Sequence, residues 1–477
     1  MEHSQQLSPS SSTAKPASAM DRLNQLIEDR RAGRYEASLE EFETEVRSRF
    51  AAAEAEVIGE DLARHDLNVP VVTVDGVVYR RTIRCEQRYM TAGGEVRVER
   101  TLYAAGRGDE RVSLCPMEVR AGIIGGFWTP RAAKQAMWTV AHLCPGEAER
   151  LFGVLGQMTP SKSSLDRLPK QLSARWEEGR ERFEEALREQ AIVPEEAVSM
   201  AVSLDGVMAP MKDGGRRAKR ERAASEGKLT KGPAGYREVG CGTVSFFDAE
   251  GNRLSTIRAG RMPERKKASL KDFLRATVTW ALMQRPDLEL VKLADGARDN
   301  WTFLANELPE GHEAVDFFHA AQHLQRALGS AYGDGTVECR ARFEKLRAVL
   351  RDDERGVEKV IRALRHLRDK HPRRKVIAAE LGYFRRNRHR MRYAALSAAQ
   401  LPIGSGIVEA ACKTLVTERM KRSGMRWGHE GGQAILTFRG AEQSGWFDAT
   451  WDLIAATFRR KVDVPENVLA FPSNRAA

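Results

Sequence analysis

Hydrophobic positions recur with two different periods along this 477-residue chain, and the changes of period predict its elements. From 20 to 67 apolar residues return every three or four positions beneath dense mixed charge, which predicts a pair of helices. From 71 to 114 apolar and polar residues alternate around Asp75-Gly76 and Gly93-Gly94, a pattern typical of hairpins. A small antiparallel sheet is therefore expected after the helices.

Two helix starts follow the predicted sheet. Thr129-Pro130 and Thr159-Pro160 each place a capping hydroxyl before a proline at the first helical position. The second start lies in a short helix pair, 147–155 and 161–168, whose lengths and turn suit a helix-turn-helix that reads DNA. Such pairs also occur in helical domains that bind no DNA, so both interpretations stay open. Residues 169–190 predict a long charged helix.

From Val198 onward the predicted elements alternate between strand and helix. Their order is strand 200–206, two strands within 236–257, helix 268–283, strand 288–294, helix 299–308 and strand 314–318. This is the order of an α/β ribonuclease H-like fold, in which the first and fourth strands are neighbours. The Lys/Arg/Gly-rich stretch at 214–235 is interpreted as a mobile loop.

Three carboxylates lie at the ends of predicted elements in this alternating part. Asp205 and Asp295 each follow an apolar run of strand length and precede a glycine. Glu409 follows the turn 404–406, Gly-Ser-Gly, at the start of a predicted helix. Parallel neighbouring strands lie ~4.8 Å apart, so both aspartates can reach a pair of metal ions ~3.5–4 Å apart. The three residues predict a site for hard divalent cations.

Each of these carboxylates also has an ordinary structural explanation. Asp-Gly is a common turn dipeptide, so Asp205 or Asp295 alone fits a turn. Glu409 alone fits a first-turn helix charge paired with Lys413 at i+4. Together, at the ends of two buried strands and one helix, they favour catalysis. Two Mg²⁺ ions, with Mn²⁺ as a substitute, would stabilise the attacking and leaving oxygens of a phosphodiester.

The charge of the chain indicates which class of partner it binds, and its cysteine content indicates the cell compartment. The net charge of +11, with 30% charged residues, favours an anionic polymer, although arginine-rich helices of a protein without such a partner give the same balance. Six cysteines form no CxxC pair, and no signal peptide or apolar run of ~18 residues is present. We therefore expect a cytoplasmic protein without a membrane partner.

A strongly basic helical segment from 319 to 399 separates the last predicted strand from Glu409 and is interpreted as an inserted domain. Five arginines occupy eight positions within it: Arg385, Arg386, Arg388, Arg390 and Arg392. That density favours phosphate contact, with a solvated helix face as the alternative. His319 and His323 lie four residues apart on a predicted helix and so resemble half of a zinc site. Neither the required Glu between them nor a third ligand accompanies them.

The chain resembles the DDE transposases of bacterial insertion sequences, specifically the Kra-type group, which is related to Mutator-like transposases. The matching pieces are, in order, SLDG at 203–206, ADGARDNW at 294–301, DFFH at 316–319, GSGIVEAACKTLV at 404–416 and RMKRSGMRW at 419–427. The resemblance implies catalytic, metal-binding Asp205, Asp295 and Glu409, supported by Asp316 and His319. The cysteine-paired motifs of many relatives have no counterpart near the N-terminus, so no zinc site is carried over.

The function that the resemblance implies is cleavage at transposon ends and joining of the freed 3′-hydroxyl to target DNA. The expected partners are terminal inverted repeats, target DNA at the nucleoid and further copies of the chain. Lys413, Arg422, Arg426 and Trp427 lie just after Glu409 and are expected to bind DNA, although Trp427 also fits a core position. A structure-selective nuclease of the same fold and a non-catalytic transposase-derived DNA-binding protein remain alternatives.

These patterns together predict six regions. They are a disordered tail at 1–19, helices at 20–68, a β region at 69–128, a helical region with the candidate DNA-binding helix-turn-helix at 129–195, a catalytic core at 196–427 with its insertion at about 320–400, and a helical tail at 428–477.

Overall fold

The computed structural model describes residues 17–156, 158–212, 215–228, 235–466 and 468–469. These residues form two compact units. Unit 1 contains the described residues of Met1–Thr139, Pro145–Leu168 and Ala455–Ala477, and unit 2 those of Val140–Cys144 and Pro169–Ile454. The predicted disordered tail lies outside the described residues as far as position 16, and a helix already begins at Ala19.

The elements are numbered along the chain. The helices are α1 Ala19–Arg31, α2 Leu39–Arg64, α3 Pro116–Ala121, α4 Pro130–His142, α5 Pro145–Leu155, α6 Lys162–Glu178, α7 Arg180–Gln190, α8 Gly215–Ser225, α9 Ala268–Gln284, α10 Arg298–Asn306, α11 Phe317–Tyr332, α12 Val337–Asp352, α13 Gly356–Lys370, α14 Lys375–Asn387, α15 Tyr393–Ala398, α16 Gly406–Ala411, α17 Glu418–Met420, α18 His429–Gln443 and α19 Phe447–Ala456. The strands are β1 Val71–Val74, β2 Val77–Thr91, β3 Gly94–Ala105, β4 Val112–Leu114, β5 Ser199–Pro210, β6 Tyr236–Phe247, β7 Arg253–Arg261, β8 Glu289–Ala294, β9 His312–Val315 and β10 Val462–Asp463.

Serine caps start the first two helices of unit 1. The Ser18 hydroxyl accepts the N–H of Asp21, and the Asp21 carboxylate accepts the N–H of Ser18. Ser38 and Glu41 repeat this reciprocal pair at α2. Each pair satisfies N–H groups that a helix end leaves open. The helix pair predicted over 20–67 is confirmed.

The sheet of unit 1 is antiparallel, in the order β10-β1-β2-β3-β4. Asp75 and Gly76 turn β1 into β2 with φ of 50° and 78°, the left-handed conformation of tight hairpin turns. The antiparallel sheet is thus confirmed. Its second turn falls on residues 92–93, one position earlier than predicted, because Thr91 pairs with Gly94.

The helices after this sheet differ from their prediction. α4 begins at Pro130 as expected, whereas α6 begins at Lys162, where the Ser161 hydroxyl accepts the N–H of Ser164 at 3.3 Å. The prediction that this helix ends at residue 168 is wrong, because α6 continues through Pro169 to Glu178. An internal proline removes one helical hydrogen bond. The apolar stripe of α6 is fully buried and offsets that loss; its residues are Leu165, Leu168, Leu172 and Trp176.

The sheet of unit 2 has the order β7-β6-β5-β8-β9. β5, β6 and β7 are antiparallel, while β8 is parallel to both β5 and β9. The prediction that the first and fourth strands of this part are neighbours is confirmed. The chain as a whole is mixed α/β with two sheets. Among the described residues no helix is long and apolar enough to cross a membrane.

Two predicted segments of unit 2 are wrong. The stretch interpreted as a mobile loop contains the helix α8 at Gly215–Ser225, while residues 214 and 229–234 of that stretch lie outside the described residues. The strand predicted over 314–318 ends at Val315, because the carboxylate of Asp316 accepts the N–H of His319 and starts α11. The long helical segment after it is confirmed as α11 to α15. α18 packs against β7, where Gly440 lies close to the backbone of Arg258.

Candidate metal centre

The two aspartates lie at matching positions on neighbouring parallel strands. The last parallel pair between β5 and β8 joins Ser203 to Leu293, and Asp205 and Asp295 each follow two residues later. Asp295 comes directly after β8, as predicted. Asp205 does not end its strand, because β5 stays paired with β6 as far as Pro210. At the position of Asp205 the neighbouring strand β8 has already ended, so no strand lies beside Asp205 on that side.

Asn300 fixes the loop that carries Asp295. Its side-chain amide donates to Asp295 Oδ1 at 3.1 Å and to the carbonyl of Leu204 at 3.5 Å. The N–H of Ala297 donates to the same carboxylate oxygen at 3.0 Å, and the indole N–H of Trp301 donates to the Asp295 carbonyl at 2.5 Å. Asn300 therefore connects the loop after β8 to the backbone beside Asp205.

Asp316 joins three segments of unit 2. Its side chain is 1% exposed and accepts two backbone N–H groups, from His319 in α11 and from Ser405 in the turn before α16. The N–H of Asp316 donates to the carbonyl of Ala294 at 2.9 Å. The turn that precedes Glu409 is thereby attached to the ends of β8 and β9.

Glu409 lies in the first turn of α16 and is exposed. In the described part of the chain no ion pair joins it to Lys413, so the i+4 pair that was the structural alternative for Glu409 is absent. One ligand atom each of Asp316, His319 and Glu409 lies within 4.8 Å of the others. That spacing suits a single metal ion.

Asp205 is close enough to Asp295 and to Glu409 for their charges to interact. Burial raises the pKa of Asp205, and the charge of Asp295 raises it further. Partial desolvation of the Glu409 carboxylate raises its pKa, and the charges of Asp316 and Asp205 raise it further. Among the described residues, the group with ligand spacing contains Asp316, His319 and Glu409 but neither Asp205 nor Asp295.

The ring of His323, the second histidine of the half zinc pattern, lies 5.5 Å from that of His319 but makes its own contacts elsewhere. Its Nδ1 bonds Glu380, and its ring stacks on Tyr383 with centroids 3.5 Å apart. Among the described residues the group able to hold a metal contains His319 but not His323. The sequence did not indicate Asn300 or Tyr383 as members of the site. Asn300 had a signal, since it lies within the ADGARDNW piece, whereas Tyr383 had none.

The arginine run divides into one internal and four external side chains. Arg390 donates to Glu313 at 2.7 Å, and its guanidinium lies 3.9 Å from the centre of the Trp301 ring. These contacts bury Arg390 against the loop that carries Asp295. The exposed side chains are Arg385, Arg386, Arg388 and Arg392.

The residues after Glu409 are likewise mixed. Trp427 is half-buried and extends the end of β5, since its N–H donates to the carbonyl of Pro210 at 3.0 Å and its indole to that of Met420 at 2.9 Å. Arg422 donates to the Glu418 carbonyl at 3.1 Å. Lys413 and Arg426 are exposed. Trp427 is therefore a packing residue with one side accessible.

The comparisons with known proteins return little. No family model matches the chain, and neither does any curated protein. A solved structure, described as the "Drosophila P element transposase strand transfer complex", matches with 11% sequence identity and a TM-score of 0.24 over 68% of this chain and 81% of that chain. With these values the match does not define the fold of this chain.

Proposed function

We propose that the chain is a DDE-type DNA transposase that cleaves transposon ends and joins the freed 3′-hydroxyl to target DNA. The observation that supports the proposal is the group Asp316, His319 and Glu409 with metal-ligand spacing, together with the charge interactions of Asp205 with Asp295 and with Glu409. These residues are far apart in sequence. The resemblance to Kra-type transposases assigns the same five to an active site.

We further propose that unit 2 has a ribonuclease H-like core. The strand order β7-β6-β5-β8-β9, with β5 parallel to β8, supports this assignment. The helices α11 to α15 fall between the last strand and the helix of Glu409, where the resemblance expects an insertion. Joining also requires two DNA ends to be held together, so we propose a homodimer or larger oligomer on DNA.

The side-chain oxygen and nitrogen atoms of the site are suitable ligands for hard divalent cations. Carboxylate oxygens are preferred by Mg²⁺ and Mn²⁺, and imidazole is accepted by transition metals such as Mn²⁺. Burial and mutual repulsion raise the pKa of Asp205 and of Glu409, an unfavourable concentration of charge that a bound cation relieves. Asp205, Asp295 and Glu409 would hold the ions, with Asp316 and His319 beside Glu409.

When bound, such ions stabilise the negative charge on the attacking and leaving oxygens. The residues of the chain contribute positioning. Asn300 orients the Asp295 carboxylate, and Asp316 fixes Ser405 and so the start of the helix that carries Glu409. The exposed arginines at 385–392 bind the backbone of the DNA through its phosphates.

The decisive measurement uses the purified chain and duplexes carrying the DNA that flanks its own gene. With Mg²⁺ or Mn²⁺ we expect cleavage at inverted repeats in that DNA and joining of the 3′ end to a plasmid, and we expect EDTA to stop both. Cleavage of generic DNA without joining would instead identify a nuclease. Binding without any cleavage would identify a non-catalytic DNA-binding protein.

The exposed arginines supply a second prediction. The variant replaces Arg385, Arg386, Arg388 and Arg392 with alanine. It should bind any duplex more weakly than the parent protein. The slope of log K against log salt should become shallower by about 3–4, since each lost phosphate contact removes ~0.9. Fluorescence anisotropy over a salt series measures both effects.

A control variant removes the same charge from another exposed part of the helical segment. It replaces Arg362, Arg365, Lys370 and Arg373, all of them exposed. This variant should keep a slope close to that of the parent protein. Equal slopes for both variants would mean that the 385–392 run is only a solvated face.

A further inference from the structure

Phe318 is a large apolar side chain that stays exposed beside the candidate metal centre. It lies in the first turn of α11, between Asp316 and His319, and is 50% exposed. Its neighbour Phe317 belongs to the core and is 2% exposed. Single exposed apolar side chains are common, so the surroundings of the Phe318 ring decide its role.

Two contacts hold the ring of Phe318 in place. It meets the ring of Phe317 edge-on, with centroids 5.6 Å apart and an interplanar angle of 70°. A Cβ built on Gly404 would lie 2.8 Å from Cε2 of Phe318, so the ring occupies the space beside this glycine. The φ of Gly404 lies outside the left-handed region, so the ring rather than the backbone of the turn requires glycine here. The ring is thus held against the turn that precedes Glu409.

The exposed face of α11 continues from Phe318 with polar and basic side chains. Residues four apart lie on the same face of a helix, about 6 Å apart along its axis. Gln322 and Arg326 follow Phe318 at this spacing, and both are exposed. Arg326 lies 3.5 Å from Glu380, yet 54% of its side chain stays accessible. An aromatic ring followed by an amide and a cation suits a nucleic acid strand, whose bases stack on aromatic rings and whose phosphates bind arginine.

We propose that the ring of Phe318 stacks on an unpaired nucleobase next to the phosphodiester that is cleaved in this site. The proposal rests on the proposed function and adds a DNA-binding residue to it. Asp316 and His319 flank Phe318 in sequence and have metal-ligand spacing with Glu409, so a base beside the cleaved phosphate comes within reach of the ring. A base that stacks on the ring has left its duplex, so Phe318 stabilises an opened DNA strand at the point of cleavage.

Phe318→Leu tests the proposal, since it keeps an apolar side chain and removes the flat ring. The probe is a forked duplex of the DNA that flanks the gene, with the nucleotides around the cleaved phosphate already unpaired and Ca²⁺ in place of Mg²⁺. We expect its Kd to rise about tenfold, as for loss of one stacked base, and Phe318→Trp to keep the parental Kd. Tyr236→Leu is the matched control, because Tyr236 is a 44% exposed aromatic residue at the start of β6. Its Kd should stay parental.

Abasic substitutions in the forked duplex locate the stacked base. Each unpaired nucleotide near the cleaved phosphate is replaced in turn by an abasic residue, which removes the base without changing the cost of opening the DNA. One position should raise the Kd of the parent protein about tenfold, and the same substitution should leave the Kd of Phe318→Leu unchanged. Such non-additivity identifies two changes that remove the same interaction.

The outcomes separate this inference from the function on which it rests. A parental Kd in Phe318→Leu, equal losses in Phe318→Leu and Tyr236→Leu, or effects of the abasic residue and of the mutation that simply multiply would each overturn the role of Phe318 while leaving the transposase proposal intact. Absence of metal-dependent cleavage by the parent protein would overturn both.

Discussion

Asp205→Asn, Asp295→Asn and Glu409→Gln are each expected to slow DNA cleavage by about a thousandfold or more. Each amide keeps the size of the side chain and loses the charge that binds a cation. A correctly held ion contributes several kcal/mol of transition-state stabilisation, and each ~1.4 kcal/mol is tenfold in rate. Affinity for DNA should change little, because it comes from basic side chains on phosphates. Single-turnover cleavage with Mg²⁺ and binding with Ca²⁺ measure the two properties separately.

Asp299→Asn is the matched control for these variants. Asp299 is an exposed aspartate in the first turn of α10, four residues after Asp295, and should be replaceable without loss of cleavage. Thermal unfolding gives a readout independent of activity. At a concentration of 100 Kd a bound ion stabilises the folded state by ~2.7 kcal/mol, and the amide variants should lose most of that gain. A triad variant that cleaves at the parental rate would remove that residue from the centre.

The parts of the fold that the sequence predicted well depend on local signals. The apolar runs that precede Asp205 and Asp295 are buried on both faces. A continuous apolar run of this kind is a local signal of a buried strand. The hairpin at Asp75-Gly76 is specified by a dipeptide that tolerates positive φ. The order of strands and helices also predicted that β5 and β8 lie side by side, because only a few topologies connect a strand meander to the strand and helix that follow it.

The two errors have different causes, one tertiary and one local. Pro169 is a helix breaker by sequence, but burial of the stripe from Leu165 to Trp176 keeps α6 continuous. Phe317 and Phe318 extend an apolar run that suggests a strand, and the capping bond of Asp316 turns them into the first residues of α11. The first deciding interaction is long-range packing, whereas the second is a local cap between residues three apart, which the sequence already contained.

The site shows the same division. Asp205 and Asp295 were detectable because each stands between an apolar run and a glycine, and Glu409 because it follows a Gly-Ser-Gly turn. Tyr383 reaches the site only because α14 packs on α11 and brings its ring to Gly296. Arg390 was grouped with its neighbours by composition, yet its contact with Trp301 makes it part of the packing. Long-range packing of this kind leaves no pattern in the sequence.

Asp316→Asn is expected to destabilise the protein and to slow cleavage by about a hundredfold. Asn caps helices as well as Asp does, so its carbonyl oxygen should keep the bond from the N–H of His319. The amide NH₂ group then faces the N–H of Ser405, where the carboxylate now accepts a hydrogen bond. Loss of a buried, charge-assisted bond costs about 1.5–3 kcal/mol. The turn before α16 is released, and the position of Glu409 is no longer fixed.

Two control variants separate the scaffold role of Asp316 from metal binding. Thr336→Ala removes the cap of α12, whose hydroxyl accepts the N–H of Cys339 at 3.1 Å, and should cost ~1 kcal/mol of stability with parental cleavage. His319→Gln keeps the backbone N–H that Asp316 binds, so it should lose stabilisation by Mn²⁺ while its metal-free melting temperature stays parental. Asp316→Asn should show both losses, because the same carboxylate holds the turn and lies within ligand distance of His319 and Glu409. A variant with parental stability and parental cleavage would mean that Glu409 is positioned by α16 alone.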